Sequence, residues 1–294
     1  MPSNASRRTF TAGIVLAAVA TLAPWSFAQD FPRYGDALYE PTLRQPGKDV
    51  MWLPTPDAMV KRMLAAARVG RGDVVYDLGA GEGRIPIAAA RDFGATAVGI
   101  EYDADLAALA RRNAERAGVA DRVTIVRGDI FREDFSRATV VTLFLLPDLN
   151  QQLRPQILAL RPGTRVVSHM WDMGEWEPDE KVSTDDSQAF LWIVPAPVAG
   201  RWRLAEEDGT SLGELELVQR FQRVGGTLCL RGRTQPLLGA FVNGATLGFT
   251  FVDPFGAVRT LRAQVAGDAL AGKTNFVGTT APVTGRRIAA APPP

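Results

Sequence analysis

The run Asp77-Leu-Gly-Ala-Gly-Glu-Gly83 sets an acid against three glycines spaced two apart. Glycine turns sharply and lets backbone approach a ligand closely. The spacing therefore predicts a loop through Gly79, Ala80, Gly81 and Gly83 that holds a small molecule. Glu101 closes the next apolar run, 18 residues beyond Gly83, with Tyr102 beside it. A carboxylate there can accept both hydroxyl hydrogens of a ribose. Asp129 follows a third apolar run and can accept from an adenine amino group, while Ile130 offers the ring a backbone N–H and an apolar face. Either acid alone is more often a solvated strand end; at successive strand ends they point to an adenine nucleoside. Asp77 is a poor neighbour for a pyrophosphate and a good one for an ammonium group. The dinucleotide pattern G-x-G-x-x-G requires glycine at 84 or 86, where Arg84 and Pro86 stand. That counts against a nicotinamide oxidoreductase. No G-K-[ST] follows the glycines, which excludes a P-loop.

These residues need a scaffold that delivers strand ends side by side. Apolar runs at 73–78, 97–101, 123–127, 138–145 and 164–169 alternate with helical patterns at 84–93, 103–117 and 149–158. A helix is also expected over 57–67, with Thr55 as N-cap and Pro56 at its first position. Short apolar strands alternating with such helices argue for parallel βαβ units. The expected fold is an α/β sheet with helices on both faces, extended by a strand at 188–194. After Pro195-Ala-Pro197 the pattern changes. Strand-like runs at 200–205, 213–222, 227–231, 245–252, 257–265 and 269–274 are separated by turn signals such as Gly225-Gly226 and Asn243-Gly244. They predict a small antiparallel all-β domain, a sheet or half-barrel. The expected division is a leader segment at 29–56, an α/β domain at 57–196, a β domain at 197–288 and a disordered tail at 289–294.

Residues 73–169 resemble the class I, seven-stranded Rossmann-like methyltransferases that use S-adenosylmethionine. The 77–83 loop matches that family's first motif, Glu101 its ribose acid and Asp129 its adenine-side acid. Leu53-Pro-Thr-Pro56, Val74-Val-Tyr-Asp-Leu78 and Glu82-Gly-Arg84 are similar to a protein-lysine methyltransferase-like group that includes mitochondrial enzymes modifying part of the ATP synthase. The resemblance implies S-adenosylmethionine as cofactor, a leader lying over it, and Tyr39 and Thr55 near its methionine part. It leaves the methyl acceptor open, protein side chain or small molecule, and does not reach residues 200–288. The alternative is an exported binding or structural protein that keeps the fold without turnover.

Methyl transfer is largely a matter of positioning and desolvation. Phe144 is a candidate neighbour of the cofactor, or an ordinary strand residue. Asp148 and Asn150 are candidates for orienting an acceptor, or caps of the helix that follows. His169 closes the fifth strand and is a candidate general base, or a hydrogen-bonded structural residue. The amine-methyltransferase run Asn/Asp-Pro-Pro-aromatic is replaced here by Leu-Leu-Pro-Asp148. Trp171 and Trp176, among Asp172, Glu175 and Glu177, form either a rim for a cationic acceptor or a solvated loop.

One cysteine, Cys229, and one histidine, His169, exclude a disulfide framework and any multi-cysteine or histidine-rich metal centre. A carboxylate-only site for a hard cation stays open. Residues 1–28 read as an export signal: Arg7 and Arg8 in a twin-arginine-like run, an apolar region of twelve residues at 12–23, then Ser26-Phe27-Ala28. The periplasm is the expected destination, with an uncleaved membrane anchor as the alternative. Without that segment the 294-residue chain keeps 31 basic and 32 acidic residues, a net charge of −1. Such a surface does not support bulk nucleic-acid binding, and no transmembrane span is expected in the mature chain. S-adenosylmethionine is cytoplasmic. An exported member of the family must therefore bind it before export, be retained, or have lost the transferase role.

Overall fold

The computed structural model describes residues 34–276 and 279–290. The export-signal reading at 1–28 lies outside them, as does the expected tail from 291 onward. Among the described residues no helix is long and apolar enough to cross a membrane.

Residues 34–56 form no helix or strand. They lead into α1 (Asp57–Ala66), which buries Met59, Val60, Met63 and Leu64 at helical spacing. Then follow β1 (Val74–Leu78), α2 (Arg84–Phe93), β2 (Thr96–Glu101), α3 (Ala104–Arg116), β3 (Val123–Arg127), β4 (Val140–Leu143), α4 (Pro147–Leu158), β5 (Arg165–His169), β6 (Glu180–Ser183) and β7 (Gln188–Ile193). They build one seven-stranded sheet in the order β3-β2-β1-β4-β5-β7-β6. The strands from β3 to β5 are parallel, and β7 runs antiparallel to both β5 and β6. Every residue of β4 is buried, as a strand covered on both faces requires. One face packs on α1, α2 and α3 through Met59, Met63, Ala89 and Ala107. The other packs on α4 through Leu149, Leu153 and Ile157, with Trp176 and Trp192. The sequence pattern missed β6, an edge strand in which only Val182 is buried.

The chain then forms β8 (Gly200–Glu206), β9 (Ser211–Arg220), β10 (Arg223–Leu230), β11 (Arg233–Pro236), β12 (Leu238–Asn243), β13 (Thr246–Val252), β14 (Val258–Ala266), β15 (Ala269–Phe276) and β16 (Thr279–Ala290). Successive strands pair antiparallel. β16 returns to β8, and β9 pairs with β10. Strands β11 and β12 pair with the same β10, on the side away from β9, as one broken strand. The result is a closed eight-stranded barrel, not a half-barrel, filled by Trp202, Leu215, Leu247, Phe249 and Leu261. Two expectations fail here. Gly225-Gly226 is not a turn but lies inside β10, because a Cβ on Gly226 would stand 1.9 Å from the Glu216 carbonyl oxygen; glycine in a strand marks such a close approach. Ala289 and Ala290 are not tail but end β16, paired with Arg201 and Gly200.

The barrel is fastened to the α/β unit at one end. Ala196 N donates to Gly244 O at 2.8 Å, and Phe221 stacks on buried Trp176 at 5.9 Å. Arg220 pairs with Glu175 at 2.7 Å, and Arg223 pairs with Glu177. The 171–177 loop thus anchors on buried Met173 and Trp176 and pairs with the barrel, while Trp171, Asp172, Glu175 and Glu177 stay exposed.

Candidate active site

Chain order reverses between β1 and β4 in the sheet, and ligands of open α/β sheets bind outside the strand ends at such a point. Asp77, in β1, is 3% exposed. Thr142, its neighbour in β4, donates to its carboxylate at 2.7 Å. Burial pushes Asp77 up to about 7, and the charges of Glu101 and Glu82 push the same way. Its other neighbour is Gly99 of β2, where a Cβ would stand 2.7 Å from that of Ala80. The loop therefore needs a glycine on the adjacent strand, which the sequence pattern did not reveal.

Gly79, Gly81 and Gly83 all take positive φ. Gly79 N and Ala80 N donate to Ile100 O, and Gly83 N to Ala80 O. Gly81 N donates to Glu101 Oε2 at 2.7 Å. These N–H groups are engaged within the protein, whereas a diphosphate cradle needs them free. Gly83 packs against α3, its Cβ position 3.0 Å from Ala110, and does not line the cavity.

Glu101 ends β2, and Asp103 N also donates to it at 2.9 Å. Desolvation raises its pKa against these bonds. Beyond β3, Asp129 accepts from Phe131 N and from Lys48 Nζ, each at 3.0 Å. Both contacts hold its carboxyl below the ordinary range. The sheet order thus sets Asp129, Glu101, Asp77 and Phe144 in a row across the ends of β3, β2, β1 and β4.

A cavity of about 110 Å³ lies along this row, lined by Thr55, Asp77, Gly79, Ala80, Gly81, Glu101, Tyr102, Asp129, Ile130 and Phe144, and by every residue from Gln45 to Thr55. The 45–55 segment is a hairpin-shaped strap. Arg44 N donates to Trp52 O and Trp52 N to Gln45 O, both at 3.0 Å. Trp52 Nε1 reaches Glu82 Oε2 at 3.2 Å. Arg112 of α3 grips Asp36 through two bonds of 2.6 and 3.1 Å, holding that carboxyl well below its usual range. Lys48 stands over the Tyr102 ring at 5.2 Å. Lys48 and Trp52 were missed because neither belongs to a local motif; only the fold brings them to the strand ends. Tyr39 does not line the cavity. Its hydroxyl accepts from Gln45 Nε2 at 2.7 Å, so it supports the strap.

The three catalytic candidates fall outside the cavity. Asp148 is exposed in the first turn of α4, and Leu146, not Asp148 or Asn150, is the N-cap. Asn150 is fully buried, its amide donating to Ser168 Oγ and Asp172 O at 3.1 Å. It clamps the loop after β5. His169 is 2% exposed. Its Nδ1 is 3.2 Å from Thr55 Oγ1, its Nε2 is 2.6 Å from Ser187 Oγ, and its ring lies 4.1 Å from Phe144. Burial lowers its pKa to about 4, too low for a base at neutral pH. It contacts Thr55 and Phe144, both of which line the cavity, and does not line it itself. Thr55 is accordingly not an N-cap. Pro56 takes that place with no side-chain bond, which leaves the Thr55 hydroxyl to His169.

The residues fit an adenosyl amino acid. Among the described residues Asp77 is a buried carboxylate with only the Thr142 hydroxyl for partner, a place for an ammonium group. A side chain on Gly81 would reach within 2.7 Å of Trp52 Nε1, so strap and loop leave only a thin slot. Among the described residues no group of acids, cysteines and histidine could hold a metal ion.

The α/β half of the chain is similar in sequence to known proteins. The family model described as ANTKMT methyltransferase domain matches residues 77–180. A protein-lysine N-methyltransferase of Saccharolobus islandicus is 47% identical over 151 residues, 49% of this chain and 94% of that protein. The adenine nucleotide translocase lysine N-methyltransferase of Mus musculus is 36% identical over 46% of this chain and 59% of its own length. The chain thus spans little more than half of the mouse relative. A crystal structure of an RNA methyltransferase from Salinibacter ruber with S-adenosyl-L-homocysteine is 53% identical over 50% of this chain and 96% of that one, with a TM-score of 0.49. The family model ends before the barrel begins. Matched over nearly the whole length of the Saccharolobus protein, the chain belongs to the seven-stranded S-adenosylmethionine-dependent methyltransferases, in the group that holds these lysine N-methyltransferases.

Proposed function

We propose that the protein methylates lysine side chains of a protein acceptor. The observation that carries this is the row of strand ends: two acids for the nucleoside, a buried acid for the ammonium group, then a slot walled by Phe144, Leu145 and Leu149. When bound, S-adenosylmethionine supplies an electrophilic methyl group on a sulfonium centre. Asp129 with Ile130 would hold the adenine, Glu101 the ribose, and Asp77 the amino group, while the strap excludes water.

Asp148, Asn150 and His169 do not line the cavity, and the walls formed by Phe144, Leu145 and Leu149 are apolar. An amine is therefore made nucleophilic by its surroundings. Apolar walls disfavour the charged form of a lysine and lower its pKa. The Saccharolobus and mouse relatives, both lysine N-methyltransferases by name, support this choice. We further propose that the 1–28 segment directs the folded chain out of the cytoplasm.

The test is methyl transfer from isotope-labelled S-adenosylmethionine to proteins of the native source, followed by mass spectrometry of the products. Methyl groups on lysine Nζ are expected. Label on RNA or on small molecules, with none on lysine, would overturn the proposal.

A further inference from the structure

The barrel end remote from the α/β unit carries a second cavity, of about 480 Å³, among the 206–211, 230–233 and 252–258 connections. An eight-stranded barrel can be filled by side chains or can hold one small ligand. Trp202, Leu247 and Phe249 fill the fastened end. At the open end Leu230, Phe251 and Val283 form an apolar wall.

Two polar groups face into this space. Thr274 stands opposite Leu261 in the ladder and so shares its inward face. It is 5% exposed, lines the cavity, and its hydroxyl finds no hydrogen-bond partner among the described residues. The hydroxyl opens onto the cavity, where a bound group can reach it. Glu206 stands opposite buried Val283, which turns its carboxylate inward at the rim. No ion pair engages Glu206, or Glu207 and Asp208 beside it, among the described residues. The other acid of the cavity, Asp253, is already satisfied by the N–H groups of Phe255 and Ala257 at 2.9 Å and by Arg259 at 2.7 Å. Arg231 lies 5.8 Å from the exposed Phe255 ring.

We infer that the barrel mouth binds a primary alkylammonium ion, a site separate from the methyltransferase cavity. The three N–H donors of such a head group match the free Glu206 carboxylate and the unpartnered Thr274 hydroxyl. The alkyl chain lies against Phe251 and Leu230. Anions are rejected by the three unpaired acids of the 206–208 turn.

Calorimetry of the full chain with n-octylammonium chloride tests this, with sodium octanoate as control. Octylammonium binds one to one and saturably, Glu206→Gln weakens it at least tenfold, Thr274→Val weakens it several-fold, and octanoate does not bind over the same range. The affinity of both variants for S-adenosylhomocysteine equals that of the parent. Hydrogen exchange locates the site without any variant, through octylammonium-dependent protection at 204–211 and 281–284. Absence of saturable binding, equal binding of octanoate, an unchanged affinity in a folded Glu206→Gln, or protection confined to the α/β unit would each overturn the inference.

Discussion

Burial keeps Asp77 protonated near neutrality, with Glu101 and Glu82 adding to the effect. The folded chain therefore holds a proton that the unfolded chain releases between about pH 4 and pH 7. The sign follows: an acid whose folded pKa is raised costs stability as pH rises through that window. Without ligand the protein should lose up to about 1.4 kcal/mol per pH unit there, and Asp77→Asn should flatten the slope in urea titrations at pH 5 and pH 7. Ligand binding has the opposite sense, because an ammonium group requires the ionised carboxylate. With a free-state pKa of about 7, S-adenosylhomocysteine should bind about tenfold more weakly at pH 6 than at pH 8. Equal affinity at both pH values would remove the ammonium role from Asp77. Glu101→Ala should weaken the same ligand at least tenfold, since charged hydrogen bonds contribute about 1.5–3 kcal/mol; calorimetry showing parental affinity would refute the ribose role.

The strap and the glycine loop act as one element pair. Ala at Gly81 meets a left-handed φ of 54° and the Trp52 indole. The backbone conformation alone costs about 1–2 kcal/mol, and the clash adds to it by displacing the strap. Gly81→Ala should therefore weaken S-adenosylhomocysteine binding more in the parent than in a Trp52→Ala background, a non-additivity that a double-mutant cycle reads directly. Additive losses would separate the two elements. The α/β half was legible in the sequence because its signals are local: apolar runs such as 138–145, helical periods, and glycines after a strand. The strap's residues were not, since Lys48 meets Asp129 across 81 positions. Nor was the inward turn of Asn150 or His169, which depends on what α1 and the 171–177 loop pack against them. Strands β6 and β16 escaped because few of their residues are buried, and barrel closure because the pairing of β8 with β16 is set by the whole ring.

At the scale of the whole molecule, two separately cored units share one junction, Phe221 on Trp176 with flanking ion pairs. The loop they grip follows β5, and buried Asn150 of α4 holds it from the other side. Export of a chain folded around its ligand is consistent with a strap that closes over the cavity. Replacing Arg7 and Arg8 together by Lys should leave the protein in the cytoplasmic fraction of its native host, while the parent fractionates outside. Parent and variant in the same compartment would refute the export proposal. The pairing of Gly200 with Ala290 has a further consequence. The described barrel begins and ends at neighbouring points of its rim, so among the described residues 200–290 is joined covalently to the α/β unit by one short stem. Cutting it away at the stem leaves no strand of the seven-stranded sheet without its partner and uncovers the α/β core at Trp176, where Phe221 now lies.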